Sequence, residues 1–287
     1  MILSIVMNVR TVRALKDNYC YLVTGDQIAT RESMSSRVGV GSLAGVGAPA
    51  IHRSAVVIDP SDAEPIMIAL RDLGLKLGLI LNTHHHHDHV GGNLELAEHW
   101  QCPIYCSARD FERVPGATRA LSDGEMFEFE GVSFEVLAIP GHTEGQIAYR
   151  AKNAAKANAK ITMVEAPSVG DALFVGDTLF SMGCGRLFEG TPAQMFNSLA
   201  RIKSLPGSTR LYFGHEYTET NARFAKQVEP ENSFAIDDRL VATRSQLTRG
   251  LVASKPTLEA ECKVNPFLRA KSLEEFTHLR KMRDSFT

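Results

Sequence analysis

The stretch Thr83-His84-His85-His86-His87-Asp88-His89-Val90 contains five of the ten histidines of this 287-residue chain. It follows Leu-Gly-Leu-Ile-Leu at residues 77–81, an apolar run typical of a buried β-strand. Neutral imidazole is the commonest protein ligand for transition metals, and a carboxylate adds an oxygen ligand. A purification tag or a surface charge cluster would also be rich in histidine, but this run is internal and continues a strand. The stretch therefore predicts a metal site at the end of a strand.

The spacing within this stretch suggests two sets of ligands. His84 and His86 are two positions apart, so the period-two geometry of a strand puts them on one face. Asp88 and His89 lie where the chain turns into the next helix, which can direct them to a second metal. The other two histidines are expected to point elsewhere, namely His85 and His87. The cluster supplies four ligands, and two ions would need more.

Three further segments have a common form, in which a buried strand runs into a turn and glycine precedes a metal-competent side chain. They present His142, Asp177 and His215. Glycine permits tight turns and close approach of the backbone to a ligand. A single polar side chain on a loop is usually structural. Three strand-end cases beside the histidine cluster favour one shared site.

The composition excludes several classes of function. The formal net charge is −2, and no stripe is dense in lysine and arginine, so nucleic acid is not an expected partner. No apolar segment approaches the length that spans a bilayer, and the apolar residues 1–6 are too short for a signal sequence. The five scattered cysteines fit a reducing compartment. We expect a cytoplasmic protein with no membrane partner.

The order of predicted elements indicates two domains. Strands alternate with helices as far as residue 215, and only helices are predicted beyond it, so we expect an α/β domain at 1–215 and a helical domain at 216–287. A capping box at Ser61–Glu64 is expected to begin a helix that Gly74 ends. Further helix starts are expected at Thr191–Gln194 and Ser272–Glu275. Segments at about 27–54 and 151–169 interrupt the pattern, and no function is assigned to them.

The ligand pattern resembles that of the metallo-β-lactamase superfamily: His84-x-His86-x-Asp88-His89, followed in order by His142, Asp177 and His215. Further motifs make the chain similar to the glyoxalase II family, the hydroxyacylglutathione hydrolases. These motifs are Asn82–His86, Gly176–Phe180, Gly185–Gly190, Phe213–Tyr217 and Asn265–Arg269. The match covers nearly the whole chain apart from the two interrupting segments. The helical C-terminal segment supports the family in particular, because it is not general to the superfamily.

The resemblance implies an α/β fold, the αββα sandwich of the metallo-β-lactamase fold, with a C-terminal α-helical domain. It also implies two divalent metal ions at the edge of the sandwich, and no organic cofactor. Zinc suits the mixed ligand set best, and iron or manganese would also be accepted. Asp88 and Asp177 would be catalytic, and Asp177 would bridge the ions together with a hydroxide. The first ion would be held by His84, His86 and His142, and the second by Asp88, His89 and His215.

The implied reaction is hydrolysis of the thioester S-D-lactoylglutathione to glutathione and D-lactate, the second step of methylglyoxal detoxification. Paired metals give hydroxide at neutral pH. A thiolate of pKa about 8.5 leaves without a strong general acid, whereas an amide nitrogen must be protonated. Metal chemistry thus permits a thioesterase, and the resemblance supplies the substrate. We expect the protein to act as a monomer on this small molecule.

The terminal helix supplies the expected substrate contacts. Arg280 and Arg283 are three positions apart on a helix, so they can share a face. Alone, they would be typical of a solvated basic flank near a helix C-terminus. The resemblance instead assigns them to the carboxylates of glutathione, with Arg186 and Tyr217 as further contacts. Phe188 stands where some members have tyrosine, so a hydroxyl contact is lost, and Arg186 and Arg283 stand where lysine is common.

Three other functions are weighed against this one. A persulfide dioxygenase of the same superfamily would need a single iron on His84, His142 and Asp177, and the second ligand set and the basic terminal helix disfavour it. A nuclease of this fold is disfavoured by the net charge. A non-enzymatic metal module is disfavoured because structural zinc sites are usually closed by four protein ligands.

Overall fold

The computed structural model describes residues 4–28, 53–152, 170–249 and 255–286. The two segments predicted to interrupt the fold, at about 27–54 and 151–169, lie almost entirely outside these residues. Within the described ranges, no helix is both long and apolar enough to cross a membrane.

The first sheet has six strands in the order of the chain. The first three pair antiparallel, and the third to the sixth pair parallel. The carboxyl ends of the parallel strands therefore meet at one edge, where ligands bind in such sheets. The strands are β1 (Ser4–Ala14), β2 (Asn18–Ile28), β3 (Ser54–Ile58), β4 (Lys76–Leu81), β5 (Ile104–Ser107) and β6 (Arg119–Leu121).

The remaining seven described strands form a five-stranded sheet and a small hairpin. They are β7 (Met126–Phe129), β8 (Val132–Ala138), β9 (Ile147–Lys152), β10 (Ala172–Gly176), β11 (Leu179–Phe180), β12 (Gly183–Cys184) and β13 (Arg210–Phe213). The sheet order is β13-β10-β9-β8-β7, and β11 pairs with β12. Since β10 and β13 are parallel, the turns that follow them also open to one edge.

Nine α-helices complete the described part of the chain. They are α1 (Ala63–Leu73), α2 (His87–Val90), α3 (Asn93–Trp100), α4 (Pro192–Lys203), α5 (Thr218–Val228), α6 (Ser233–Thr248), α7 (Leu258–Val264), α8 (Pro266–Arg269) and α9 (Leu273–Asp284), with a 3₁₀ turn at Pro230–Asn232. The short helices α7 and α8 were not predicted, because seven and four residues are too few for a helical period to be recognised.

The two sheets pack face to face with helices on both outer sides. Tyr21 and Leu79 of the first sheet meet Phe134, Tyr149 and Phe174 of the second in one buried cluster. Burying each such side chain contributes about 1.5–3 kcal/mol. Alternate residues of the first sheet face outward against α1 and α3, and those of the second sheet against α4. The expected αββα sandwich is confirmed.

The outer face of the second sheet also receives the C-terminal helices. Phe224 of α5, Phe267 of α8 and Phe276 of α9 belong to the same buried cluster as Leu173 and Leu211 of the sheet. The helical region that was expected is present, and it shares a core with the sandwich. The domain boundary between 215 and 216 stays a prediction.

The helix-end predictions hold with one correction. Gly74 ends α1 in the left-handed conformation at φ 64°. The residue that caps the start of α1 is Asp62, whose side chain accepts from the Glu64 amide, and not Ser61 as predicted. Ser61 lies one position too early and instead contacts the Cys20 thiol at 3.5 Å. The capping boxes expected at Thr191 and Ser272 both have the predicted capping side chain.

Asn265 connects the C-terminal helices to the β11–β12 hairpin, which follows the strand-end turn after β10. Its Nδ2 donates to the carbonyl oxygens of Phe180 at 3.1 Å and Gly183 at 2.9 Å. Its Oδ1 accepts from the Phe267 amide at 3.0 Å, which caps α8. We expect Asn265→Ala to lower the free energy of unfolding by about 2–4 kcal/mol, because each buried polar group left unpaired costs about 1–3 kcal/mol.

Urea denaturation of the two variants Asn265→Ala and Asn232→Ala measures this effect. Asn232 is the matched control, since its Nδ2 also donates to a backbone carbonyl, that of Lys263 at 2.8 Å, but at an exposed position. Its loss should cost less than about 1 kcal/mol because water can replace the bond. Equal losses in the two variants would contradict the connecting role of Asn265.

Candidate metal centre

The predicted ligands all follow strands whose ends meet at one edge of the sandwich. Strand β4 ends at Leu81, and a bend leads through His84 and His86 to α2. The turns after β8, β10 and β13 bring His142, Asp177 and His215 to the same place. Gly214 is required there, because a Cβ on it would lie 2.2 Å from Asp177 Oδ1. Glycine is therefore needed before His215 for the predicted reason, because the backbone approaches another candidate ligand closely.

The first ligand group consists of His84, His86 and His142. His86 Nδ1 lies 3.1 Å from His84 Nε2 and 3.0 Å from His142 Nε2. Although neither His84 nor His86 belongs to β4, the bend directs both rings inward as the strand-based prediction expected. Three ring nitrogens facing one another cannot all be satisfied by sharing protons among themselves. A cation between them satisfies all three.

The second ligand group consists of Asp88, His89 and His215. His215 Nε2 lies 3.3 Å from Asp88 Oδ2 and 3.3 Å from His89 Nε2. In each of the two groups, the candidate ligand atoms lie within 4.8 Å of one another. Asn18 fixes Asp88 by donating from Nδ2 to its Oδ2 at 3.1 Å and to its backbone oxygen at 2.9 Å.

Asp177 lies between the two groups. Its Oδ2 is 3.6 Å from His142 Nε2 of the first group and 3.3 Å from His215 Nε2 of the second. Its Oδ1 is 3.4 Å from His89 Nε2, yet this buried atom has no hydrogen-bond partner. A buried carboxylate oxygen without a hydrogen bond is costly unless a cation compensates it. Asp177 is therefore in position to contact ions of both groups.

The electrostatics of the site suit metal binding. Burial, together with the neighbouring imidazoles, lowers the pKa of His84 and brings the pKa of His86 to about 4. These rings are neutral at pH 7, with lone pairs available to a metal. Burial alone would raise the pKa of Asp177, but the adjacent His89 and His215 lower it to about 2, so it is ionised.

The second group has more carboxylate character. Burial opposes a positive charge on His215, but its contacts with Asp177 and Asp88 raise its pKa to about 11. The hydrogen bond with His215 is the main reason that the pKa of Asp88 is lowered. A surplus of negative charge that favours a proton here also favours a divalent cation. Five imidazoles and two carboxylates fit divalent metal binding.

Oxygen atoms behind the rings fix the orientation of four ligands. His89 Nδ1 pairs with Asp59 Oδ2 at 3.1 Å, and His215 Nδ1 with Asp17 Oδ1 at 2.8 Å. His142 Nδ1 donates to the Arg186 backbone oxygen at 2.8 Å, and His84 Nδ1 lies 3.1 Å from Thr83 Oγ1. Because an oxygen atom faces Nδ1 of each ring, Nε2 is the nitrogen directed to the site and available to a metal.

Asp59 and Asp17 were missed in the sequence. Asp59 follows the buried strand β3 and so has the same strand-end position as Asp177, a signal that was available. It adopts φ 50°, and its carboxylate also accepts from the amide and hydroxyl of Thr83 at 2.7 Å each. Asp17 lies in a turn between β1 and β2, and no sequence pattern singles it out.

The two histidines expected to lie away from the ligands do so. His87 is exposed at the first position of α2. His85 points into a charged group, with its Nδ1 3.3 Å from Asp110 Oδ2 and its Nε2 3.6 Å from Glu189 Oε1. Hydrogen bonding to Arg113 opposes the desolvation of Glu189 and lowers its pKa to about 2. Glu189 is therefore ionised near neutral pH.

Three of the predicted substrate-binding residues, Arg186, Phe188 and Tyr217, lie next to the candidate metal ligands. The Phe188 ring is 60% exposed and lies edge-on to the His86 ring, with centroids 5.3 Å apart. Tyr217 stacks on the ring of His215 at 4.9 Å. The Arg186 side chain is 60% exposed, with its Nε 3.7 Å from Asp284 Oδ1.

The two arginines of α9 differ in exposure. Arg280 is only 4% exposed, and its Nη1 donates to the backbone oxygens of Cys184 at 2.8 Å and Gly185 at 3.2 Å. Arg283 is partly buried, and burial followed by the charges of Arg280 and Arg186 lowers its pKa. The three guanidinium groups are thus close neighbours, and two of them pair with the same carboxylate, Asp284. A surplus of positive charge remains beside the candidate metal ligands.

Comparisons with known proteins identify the family. Residues 50–154 match the family model described as metallo-beta-lactamase superfamily, and residues 216–286 match hydroxyacylglutathione hydrolase C-terminus. A hydroxyacylglutathione hydrolase of Gloeobacter violaceus is 40% identical over 98% of this chain and 100% of its own length. The chain belongs to the hydroxyacylglutathione hydrolase family. Another relative of that name, from Prochlorococcus marinus, is 42% identical over 81% of this chain and 88% of its own length.

Solved structures agree with the fold of this hydroxyacylglutathione hydrolase family member. ETHE1 from Myxococcus xanthus covers 97% of this chain and 96% of its own at 24% identity, with a TM-score of 0.60. A metallo-beta-lactamase from Staphylococcus aureus also has a TM-score of 0.60, at 18% identity over 96% of this chain and 73% of its own. At such identities the likeness establishes the metallo-β-lactamase fold alone.

Proposed function

We propose that this chain hydrolyses S-D-lactoylglutathione to glutathione and D-lactate with two divalent metal ions. The main support is one observation, that two ligand groups joined through Asp177 lie beside a cluster of arginines. Membership of the hydroxyacylglutathione hydrolase family supports the same substrate class. A metal centre next to positive charge suits a substrate that has both a hydrolysable bond and free carboxylates.

The residues assigned to the ions follow the two groups. Zinc suits this mixture of imidazole and carboxylate, and iron or manganese would accept it as well. Asp177 would contact both ions. The first ion is assigned to His84, His86 and His142, and the second to Asp88, His89 and His215.

When bound, such ions lower the pKa of a water molecule enough to supply a nucleophile at neutral pH, and they polarise a carbonyl. The chain contributes orientation, because Asp59, Asp17 and the Arg186 backbone oxygen hold the ligand rings from behind. Asp88 Oδ2 and Asp177 Oδ2, each 3.3 Å from His215 Nε2, are the atoms proposed to accept the proton of the attacking water.

The bond changes need no strong acid. The water oxygen bonds to the thioester carbonyl carbon, the carbon–sulfur bond breaks, and the sulfur leaves as the thiolate of glutathione. A thiol with a pKa of about 8.5 is a good leaving group at neutral pH. The thiolate then takes a proton from solvent, and the carboxylate that accepted the proton of the water releases it to solvent.

The substrate is proposed to lie across the opening of the site. Arg186 and Arg283 would pair with the glutathione carboxylates, since guanidinium binds carboxylate through paired hydrogen bonds. Tyr217 offers a hydroxyl, and Phe188 offers an apolar surface without one. Arg280 would add positive charge without contacting the substrate directly, because its Nη1 and Nη2 already donate to groups of the protein.

We further propose that the protein acts as a monomer in the cytoplasm. None of the five cysteines is in a disulfide, which suits a reducing compartment. Light scattering after size exclusion is expected to give the mass of one chain, and the mass of a dimer would contradict this.

A paired assay on one metal-loaded preparation tests the function. Thiol release from S-D-lactoylglutathione is expected, with no oxygen uptake on glutathione persulfide. A mononuclear iron dioxygenase needs only His84, His142 and Asp177, so the presence of Asp88, His89 and His215 as a second group disfavours that reaction. Oxygen uptake without thiol release would replace the hydrolase proposal with the dioxygenase.

A further inference from the structure

A charged group lies next to the first ligand group, with the His85 ring 5.0 Å from the His86 ring between centroids. It joins His85, Asp110, Arg113 and Glu189, which come from three separate segments of the chain. Arg113 Nη1 donates to Glu189 Oε2 at 3.2 Å, and its Nη2 contacts both Glu189 Oε1 and His85 Nε2. His85 is the residue between the two predicted ligands His84 and His86.

Glu189 also holds the segment of the third ligand. Its Oε2 accepts from the Glu144 amide at 2.9 Å, two residues beyond His142. The amides of Phe188 and Glu189 point to the His142 backbone oxygen at 3.1 and 3.4 Å. In return, His142 Nδ1 donates to the Arg186 backbone oxygen at 2.8 Å. The loop that contains Arg186 and Phe188 therefore surrounds His142.

Asp110 packs closely against the turn that follows His142. Asp110 is wholly buried, with its Oδ1 3.4 Å from Arg113 Nη1. A Cβ on Gly145 would lie 2.2 Å from the Asp110 carboxyl carbon, so the turn after His142 rests directly on this side chain. The charged group therefore contacts three segments of the chain. One contains His84 and His86, the second contains His142, and the third contains Arg186.

We propose that the Arg113–Glu189 pair is a positioning device that couples thioester binding to the geometry of the first metal ligands. The part of this proposal that concerns thioester binding rests on the proposed function. The part that concerns the geometry of the metal ligands rests on the contacts alone. Neither residue touches the reacting atoms. Glu189 acts through the loop of Arg186 and Phe188, and through His142, whose ring orientation that loop sets.

The pair is expected to matter for position more than for stability. The side chains are 42% and 27% exposed, and ion pairs at such positions contribute little to folding. Losing a group that orients a metal ligand, by contrast, typically reduces metal affinity or activity about 10–100-fold. Loss of the Arg113–Glu189 pair should therefore lower the metal affinity about 10–100-fold while it changes the melting temperature little.

The chain contains a matched control. Arg119 and Glu125 form a pair with side chains 43% and 27% exposed, and Glu125 Oε2 accepts from the Ser122 amide at 2.9 Å. This pair reproduces the exposure and the backbone contact of Arg113 and Glu189, but Arg119 lies in β6 and Glu125 in the turn before β7. Glu125→Ala therefore measures what the loss of such a pair costs away from the ligands.

The experiment compares Glu189→Ala, Arg113→Ala and Glu125→Ala. Zinc affinity is measured by competition with a chromophoric chelator on metal-free protein, and kcat and KM are measured on loaded protein. We expect about a 10-fold loss of zinc affinity and a higher KM in the first two variants. Glu125→Ala should match the wild type. Arg113→Lys keeps the charge and should recover part of the loss, and Glu189→Gln is used if the alanine variant does not fold.

The outcomes separate the inference from the proposed function. Zinc affinities within twofold of the wild type in both Glu189→Ala and Arg113→Ala would overturn the positioning role. A changed KM with unchanged zinc affinity would mean that the pair affects thioester binding without the metal ligands, which would overturn the proposed coupling. If the wild type fails to release thiol while Glu189→Ala still loses zinc affinity, the proposed function fails and the metal half of the inference is supported.

Discussion

Replacing Asp177 by alanine is expected to reduce kcat for thioester hydrolysis by more than about 100-fold, beyond the range typical of residues that only orient ligands. The reason is the position of its carboxylate between the two ligand groups. Oδ1 lies 3.4 Å from His89 Nε2, and Oδ2 lies 3.6 Å from His142 Nε2 and 3.3 Å from His215 Nε2. Its loss removes a ligand from both proposed ions, so bound metal per chain should also fall.

The control for this variant is Asp171→Ala. Asp171 lies just before β10, at the opposite end of the strand that leads to Asp177, and it pairs with Arg150. Its replacement should leave kcat within a few-fold of the wild type. Asp177→Asn keeps the size of the side chain and guards against a simple packing defect. An undiminished rate in both Asp177 variants would remove Asp177 from the site.

Replacing Arg186 and Arg283 together is expected to raise KM for S-D-lactoylglutathione by about 100-fold with little change in kcat. Hydrogen bonds to charged groups contribute about 1.5–3 kcal/mol each, and about 1.4 kcal/mol corresponds to a factor of ten. A rise in KM at constant kcat indicates binding energy that is equal in the ground state and the transition state. Steady-state kinetics on the single and double variants measures the effect.

A truncated substrate gives this experiment its control. S-Lactoyl-N-acetylcysteamine has the same thioester but neither glutathione carboxylate, so the variants and the wild type should hydrolyse it equally. Lys281→Ala, an exposed cation on the same helix α9, should leave both substrates unaffected. If the double variant lost activity equally on both thioesters, Arg186 and Arg283 would act on the metal site and not on the carboxylates.

Local sequence patterns could predict the order of strands and helices, whereas the αββα layering was implied by the family resemblance. The strand runs, the turn at Gly74 and the capping box at Thr191 each depend on neighbouring residues, and each is present. The start of α1 was placed one residue early because Ser61 and Asp62 are both good capping residues. The competition between them is decided by the contact of Ser61 with Cys20, which is 41 positions away.

The candidate metal ligands could be predicted for a related reason. Strands that run in the same direction end at one edge of a sheet, so His142, Asp177 and His215 could be recognised as candidate ligands from their strand-end positions. Asp59 has the same position but was not among the predicted ligands. Its role depends on the partner it faces, His89, and that pairing comes from the folded arrangement.

The remaining contacts were beyond sequence reasoning because they join distant segments on loops. Arg113 and Glu189 are 76 positions apart, and neither lies in a strand or helix that would bring them together. The burial of Arg280 could not be anticipated either, since its spacing from Arg283 predicts a shared helix face but not which of the two is covered. Packing of α9 against the end of β12, at Cys184 and Gly185, decides which arginine is covered.

A zinc titration of metal-free protein, followed by thiol release from S-D-lactoylglutathione, tests the proposed dinuclear hydrolase most directly. We predict no release above background without metal, and a rate that rises until two equivalents per chain are bound. Bound zinc without thiol release at any loading would contradict the proposed reaction. A rate that is complete at one equivalent would contradict the second ion assigned to Asp88, His89 and His215.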